Sequence, residues 1–166
     1  MAPDQSARLA AATERLRAET SVPGLLGTTA RTFVEVLDAE ACTISRAIGD
    51  LLVDLIQHRK TGTADRLGHG YLISDYPLTR EVIEQREPRT VSLHDPDADP
   101  AEAKLLRELG FDSLLMITLE AGDDAWGLIE VYGEKGRRFT DEDVLLVRDL
   151  TAEVGGLLDG LGRPAV

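Results

Sequence analysis

The sequence lacks the features that mark secreted and membrane proteins. Its 166 residues include one cysteine, Cys42, so no disulfide can form within the chain. No stretch approaches the ~18 consecutive apolar residues that suggest a membrane-spanning helix. The N-terminus has no basic segment followed by an apolar run, as a signal peptide would. We therefore expect no membrane span and no leader, and a cytoplasmic location.

Basic residues are scarce relative to acidic ones. Eighteen Lys and Arg residues stand against thirty Asp and Glu residues, and the formal net charge at pH 7 is −12. This charge opposes non-specific binding to nucleic acid and to anionic lipid. We expect neither a nucleic-acid partner nor a membrane partner, and a single domain is sufficient for this length.

The most informative stretch lies near the C-terminus. Ser113–Glu120 is apolar on both sides of a period-two pattern, which predicts an interior strand. The turn residues Ala121–Asp124 follow, and Ala125–Tyr132 then alternates again, so we predict an antiparallel hairpin. Thr140 at an N-cap position and the acids at 141–143 predict the start of a long amphipathic helix.

Three of these segments carry a family resemblance. Ser113–Leu115, Trp126–Val131 and Phe139–Asp143 with its apolar helix resemble the C-terminal half of a GAF domain, a small-molecule sensor module of signalling proteins. The resemblance spans about Ser21 to Leu161. It implies an α+β fold, related to that of PAS domains. In that fold the N- and C-terminal helices cover one face of an antiparallel sheet, and a cap of loops and helices covers the other.

The N-terminal half is predicted to contain two helices and a hairpin. Residues 1–20 form the first helix, which we expect to serve dimerisation or signalling, and residues 21–162 form the GAF-like domain. Ser21 as N-cap and Pro23 in the first turn predict the second helix. Residues 41–57 predict a hairpin turning at Gly49-Asp50. The polar residues 58–70 predict a loop or an irregular strand extension.

The middle of the chain, residues 71–110, would form the cap. We predict a short helix after Pro77 that Pro88 stops, a strand over residues 89–93, and a helix from Pro100 to a C-terminal Gly110. In GAF domains such elements wall the ligand cavity, and the resemblance implies the same here.

The last helix has more apolar surface than one contact needs. Leu146, Leu150 and Leu157 form a second stripe beside the main one, so the helix could face both its own sheet and a second chain. We expect a homodimer through the terminal helices. In the rival interpretation, the stripes pack only on Ser6–Thr20 of the same chain. Gly155-Gly156 indicates either fraying or a close helix contact.

Few side chains suggest a binding site. Tyr71, Tyr76, Met116 and Trp126 could line a pocket, although each could equally belong to the core. His94 is predicted at the lip of the cavity, where it could meet an anionic ligand or simply be solvated.

Catalytic and metal chemistry have weak support in the sequence. Cys42 lies among apolar residues, where a cysteine is usually a small buried hydrophobe rather than a reactive thiol. The histidines at 58, 69 and 94 are too scattered for a metal site. Asp95, Asp97 and Asp99 alternate as in a calcium loop, but Pro100 and Leu106 stand where that loop needs glycine and glutamate.

We therefore predict a non-catalytic sensory or regulatory domain. It would bind a small ligand whose identity the sequence leaves open, form a homodimer and act on a signalling protein partner. No haem, cyclic nucleotide, covalent bilin or other cofactor is predicted. Two alternatives stay open: a ligand-free module for dimerisation or protein interaction, and a redox protein that uses Cys42.

Overall fold

The computed structural model describes residues 3–61 and 68–162. Part of the polar segment predicted as a loop, residues 62–67, lies outside the described residues. The chain forms five helices and six strands in this range, together with a 3₁₀ turn over Ile73–Asp75. In chain order they are α1 (Pro3–Arg17), α2 (Val22–Leu37), β1 (Ala41–Ile48), β2 (Leu51–Arg59), β3 (Gly70–Leu72), α3 (Pro77–Gln85), β4 (Arg89–Ser92), α4 (Pro100–Leu109), β5 (Ser113–Ala121), β6 (Asp124–Gly133) and α5 (Asp141–Gly162).

The strands form one antiparallel sheet in the order β3-β2-β1-β6-β5-β4. Both predicted hairpins are present, β1–β2 and β5–β6, and β5 is interior because β6 and β4 flank it. The α+β architecture predicted from the sequence is confirmed. Strand β3 was not predicted, since three residues are too few to establish an alternating pattern.

Helices α1, α2 and α5 cover one face of the sheet, which we call the helix face. The apolar side of α2, with Leu26, Ala30, Phe33 and Leu37, is buried there. Ser21 caps α2 as predicted, because its hydroxyl accepts a hydrogen bond from the amide of Gly24 at 3.1 Å. None of the helices in the described residues is long and apolar enough to cross a membrane.

Helices α3 and α4 lie over the opposite face, which we call the cap face. The second hydrophobic cluster lies there and includes Val82 and Leu106 from the cap and Leu114, Met116 and Leu128 from the sheet. The two helices start and end where the prolines and Gly110 predicted. Pro77 and Pro100 occupy first turns, and Gly110 follows α4 in the left-handed conformation at φ 82°.

A register shift in the β5–β6 hairpin changes the side on which Trp126 lies. Leu119 pairs with Gly127 and Glu120 pairs with Ala125, so Trp126 is the extra residue of a bulge. Simple alternation would group Trp126 with Leu128 on the cap face. The structure instead packs its ring against the helix-face cluster, with the Arg46 guanidinium 4.6 Å from the ring centre.

Helix α5 begins in a reciprocal cap and packs most of its apolar surface within the chain. The Thr140 amide donates to Asp143 Oδ2 at 2.8 Å, and the Asp143 amide donates to Thr140 Oγ1 at 3.2 Å. In the predicted second stripe, Leu146 and Leu150 are buried within the helix-face cluster, and Leu157 is partly buried against it. The apolar surface left for another chain is therefore smaller than the stripe suggested.

The glycine pair in α5 divides into two different environments. A Cβ at Gly155 would collide with the carbonyl oxygen of Glu120 in β5, whereas Gly156 is exposed and has open space around it. Both glycines lie inside the helix, so they do not mark fraying. Gly155 permits a close approach between α5 and β5.

Candidate ligand site

A small cavity lies on the cap face, between strands β1, β2 and β6 and the cap. Its volume is about 30 Å³, enough for about two water molecules. Three kinds of side chain line it. These are three carboxylates (Asp54, Glu102 and Glu130), three tyrosines (Tyr71, Tyr76 and Tyr132), and leucines with a few uncharged polar groups (Leu52, Leu105, Leu109, Leu128, Thr43, Gln57 and Thr79).

Glu130 belongs to the floor of the cavity. Leu128, Glu130 and Tyr132 alternate along β6 and share the cap face, which is why an acidic side chain in an apolar strand is 9% exposed. The Tyr132 hydroxyl donates a hydrogen bond to Glu130 Oε2 at 3.1 Å. Burial first, and then the charges of Glu102 and Asp54, raise the pKa of Glu130 to about 8. The carboxyl is therefore largely protonated at neutral pH.

Glu102 approaches the cavity from the cap. The amide of Glu102 donates to the N-cap carboxylate of Asp99, which fixes the first turn of α4. The side chain is 1% exposed, and its Oε1 accepts a hydrogen bond from the Thr79 hydroxyl of α3. Burial raises the pKa of Glu102. Its second oxygen, Oε2, is buried and has no hydrogen-bond partner among the described residues.

Two further polar groups come from β2. Asp54 is buried and its Oδ1 accepts a hydrogen bond from the Ser45 hydroxyl at 2.7 Å. Gln57 donates from Nε2 to Thr43 Oγ1 at 3.1 Å, while its Oε1 is buried without a hydrogen-bond partner in the part of the chain that the structure describes. Two acceptor oxygens of residues that line the cavity, Glu102 Oε2 and Gln57 Oε1, are therefore unsatisfied among the described residues.

Two of the residues predicted to line a pocket lie at the cavity. Tyr71 of β3 and Tyr76, which immediately precedes α3, pack edge to face with ring centres 6.1 Å apart, and both are partly exposed. Burial and the Tyr71 and Glu102 charges raise the pKa of Tyr76. The structure brings these two tyrosines together, and their role in ligand binding stays a prediction.

The other three predicted residues lie elsewhere. Met116 is fully buried in the cap-face cluster, with its sulfur 3.4 Å from Thr79 Oγ1, but it does not line the cavity. Trp126 packs on the helix face because of the bulge. His94 is exposed in the loop after β4, with Nε2 3.9 Å from Asp112 Oδ2. Alternation alone could not predict that these three would be separated from the tyrosines.

Cys42 lies on the helix face, away from the cavity. It is fully buried, and burial, followed by the Glu130 charge, raises the pKa of its thiol. This environment is the opposite of the exposed, electropositive one that activates a thiolate. Within residues 3–61 and 68–162, no three His, Cys, Asp or Glu side chains are grouped as ligands for one metal ion.

The sequence offered one signal for the buried carboxylates that our prediction did not use. Glu130 is an acid at an inward position of an apolar strand, which is unusual without a partner or a function. Glu102 gave no comparable signal, because acids in the first turn of a helix are commonly solvated. Only the packing of α4 over the sheet reveals its burial.

A family model described as GAF domain matches residues 22–158. This chain belongs to the GAF domain family. The matched region begins at α2 and ends within α5, so it contains the whole sheet and the cap. No curated protein sequence matches this chain.

Solved structures share the GAF fold at low sequence identity. Bacteriophytochrome RpBphP3 from the photosynthetic bacterium R. palustris aligns with a TM-score of 0.85 and 13% identity, over 97% of this chain and 39% of its own. The phytochrome photosensory core module of Stigmatella aurantiaca aligns with a TM-score of 0.81 and 16% identity, over 95% of this chain and 36% of its own. This chain thus spans less than half of either. The far-red absorbing dark state of JSC1_58120g3, with bound biliverdin IXa, aligns with a TM-score of 0.81 and 14% identity, over 94% of this chain and 99% of its own.

Proposed function

We propose that this GAF domain is a non-catalytic sensor that binds a small molecule in the cavity between sheet and cap. The observation that carries the proposal is the set of buried, incompletely paired polar groups at that cavity, where a hydrophobic core would be more stable if packing were the only purpose. The fold neighbours include chromophore-binding proteins, one with biliverdin bound. The cavity here is much smaller than a tetrapyrrole, so we expect a smaller ligand.

The cap is the element that a ligand would shift. Leu105 and Leu109 of α4 and Tyr76 before α3 line the cavity and are partly exposed, so movement of the cap would enlarge it. Glu130 lies across the sheet from the helices, because its neighbours Ile129 and Val131 pack on the helix face. A ligand that prefers one arrangement of the cap would thereby bias the helices by its difference in affinity for the two arrangements.

Native mass spectrometry of the protein purified from its own host tests the ligand. We expect a stoichiometric retained mass in the wild type and its loss in Leu109→Phe, which adds bulk at the cavity without removing a buried polar contact. Ile48→Phe is the matched control, since Ile48 is 60% exposed on the β1–β2 hairpin. No retained mass in the wild type, or equal retention in both variants, would contradict ligand binding in this cavity.

We also propose that the domain signals as a homodimer through α1 and α5. The two helices pack together, with Arg17 Nε 2.5 Å from Glu153 Oε1. Leu145 of α5 is 59% exposed, whereas Val144, Leu157 and Leu161 are partly exposed and pack against the chain's own helix-face cluster. Leu145 therefore offers a second chain an exposed apolar side chain on this helix.

Sedimentation velocity tests the dimer and its location. Leu145→Glu should shift the protein toward monomer, because it places a charge within the proposed contact. Ile48→Glu makes the same change in an exposed apolar side chain on the hairpin and should leave the dimer intact. A monomeric wild type, or dissociation by Ile48→Glu alone, would contradict an interface on α5.

The alternative of a ligand-free structural module has one observation in its favour. The cavity is small, and leucines and tyrosines make up much of its lining. The retained-mass experiment separates the two proposals, since the structural module requires none. The redox alternative is disfavoured, because Cys42 is fully buried and its pKa is raised.

A further inference from the structure

The cavity presents two buried acceptor oxygens that lack donors. Glu102 and Gln57 both line the cavity on the cap face, and their oxygens Glu102 Oε2 and Gln57 Oε1 have no hydrogen-bond partner among the described residues. Glu102 itself is 1% exposed. A buried acceptor without a donor destabilises the folded state, so a ligand that brings N–H groups to these oxygens gains more than it would at a solvated site.

The charge of the cavity selects among donor-bearing ligands. Glu102 and Asp54 line the same cavity as Glu130, and their charges raise the cost of ionising Glu130 beyond burial alone. None of the described residues that line the cavity is Lys, Arg or His. A cation inserted there would favour the ionised form of these carboxyl groups and pair with it in surroundings that screen charge weakly, whereas an anion would find no cationic side chain among these residues.

The rest of the wall favours an organic cation over a bare metal ion. Leu109, Leu128 and the rings of Tyr71 and Tyr76 supply apolar and aromatic surface beside the carboxyl groups. Tyrosine rings attract ammonium and guanidinium groups through their faces. Hydrocarbon attached to the charged group would contact the leucines, which a hydrated metal ion could not do.

We propose that this cavity is selective for small molecules that carry an ammonium, amidinium or guanidinium group, which would donate hydrogen bonds to Glu102 and Gln57 and pair with one negative charge shared by Glu102 and Glu130. This inference rests on the proposed sensory function and names its ligand class. The cavity volume suits the charged end of such a molecule, while the remainder would extend past the partly exposed Tyr71 and Tyr76.

Three probes of the same size and different charge test the selectivity. n-Propylammonium chloride, 1-propanol and sodium propionate are titrated at pH 7 and constant ionic strength, and binding is followed by NMR shifts of leucine methyl groups at the cavity. We expect n-propylammonium to bind and to shift the methyl signals of Leu128 and Leu109. Both other probes should bind at least about tenfold more weakly.

Neutral isosteres assign the binding to the carboxyl groups. Glu102→Gln should weaken n-propylammonium binding about tenfold or more, and Glu130→Gln carries the same test if Glu102→Gln does not fold. Glu108→Gln is the matched control, since it removes one exposed carboxylate from the same helix and should bind as the wild type does.

Several results would overturn the inference. These are equal or tighter binding of 1-propanol or propionate, no binding of any probe, or n-propylammonium binding that neither cavity variant weakens. The proposed sensory function fails on a different result, the absence of retained mass in protein from its own host. A retained neutral or anionic molecule would therefore keep the function and reject the ligand class.

Discussion

Glu130 is expected to make this domain less stable as the pH rises. Its carboxyl is buried, and its pKa is raised from the ordinary value of 4.5 to about 8 in the folded chain. Between these two values the unfolded chain binds fewer protons than the folded chain, so the free energy of unfolding falls with increasing pH. The stabilisation is fully present below pH 4.5 and is lost as the pH passes through 8.

The expected fall in the free energy of unfolding follows from the pKa shift of Glu130. Each pKa unit corresponds to about 1.4 kcal/mol, so Glu130 should lower the free energy of unfolding by about 2 to 3 kcal/mol between pH 5 and pH 7, and by about 4 kcal/mol by pH 9. Glu130→Gln removes the ionisation and keeps a carbonyl oxygen that can accept the Tyr132 hydrogen bond. The variant should therefore be more stable than the wild type at pH 9 and should lose this part of the pH dependence.

Urea unfolding followed by circular dichroism at pH 5, 7 and 9 measures the difference. Urea is preferred to guanidinium chloride because the guanidinium ion belongs to the ligand class proposed for the cavity. Glu108→Gln controls for the loss of one carboxylate from the exposed surface. If the difference between wild type and Glu130→Gln does not change from pH 5 to pH 9, Glu130 is not a buried, protonated carboxyl and the description of the cavity floor is wrong.

The structure makes further predictions about packing and reactivity. Gly155→Ala should lower the free energy of unfolding by about 1 to 3 kcal/mol, because its Cβ would collide with the Glu120 carbonyl. Gly156→Ala should raise the free energy of unfolding by up to about 1 kcal/mol, and thermal or urea unfolding measures both changes. Similar effects of the two substitutions would contradict the close approach of α5 to β5. Cys42 should resist a thiol reagent such as dithionitrobenzoate until the chain unfolds, and rapid labelling of the native protein would show that the thiol is accessible.

Local patterns predicted most of the fold for identifiable physical reasons. Alternation over β5 and β6, the Thr140 cap and the prolines at 77 and 100 each act on a few neighbouring residues, so they could be interpreted without knowledge of the tertiary structure. The bulge at Trp126 could not be predicted in this way, because one extra residue in a strand leaves the hydrophobic pattern almost unchanged.

The candidate site depends on contacts between distant segments. Gln57 of β2 and Glu130 of β6 come near each other through the pairing of both strands with β1, and Glu102 of α4 joins them only because the cap folds over the sheet. Gln57 and Glu102 alone resemble ordinary polar residues of a strand and a helix. The tyrosines were predictable as amphipathic side chains in the cap region. The resemblance to GAF domains indicated where a cavity would lie, but the acidity of that cavity is a property of this chain.

The most direct measurement of the central claim locates the bound molecule. With ¹³C-labelled methyl groups, intermolecular nuclear Overhauser effects between n-propylammonium, or any molecule retained from the host, and the protein distinguish the two faces of the sheet. We predict contacts to Leu52 and Leu128 at the cavity and none to Ile44 and Ile129 in the helix-face cluster. Contacts to the helix-face methyl groups, or a bound molecule with no contacts to Leu52 and Leu128, would contradict a ligand site between the sheet and the cap.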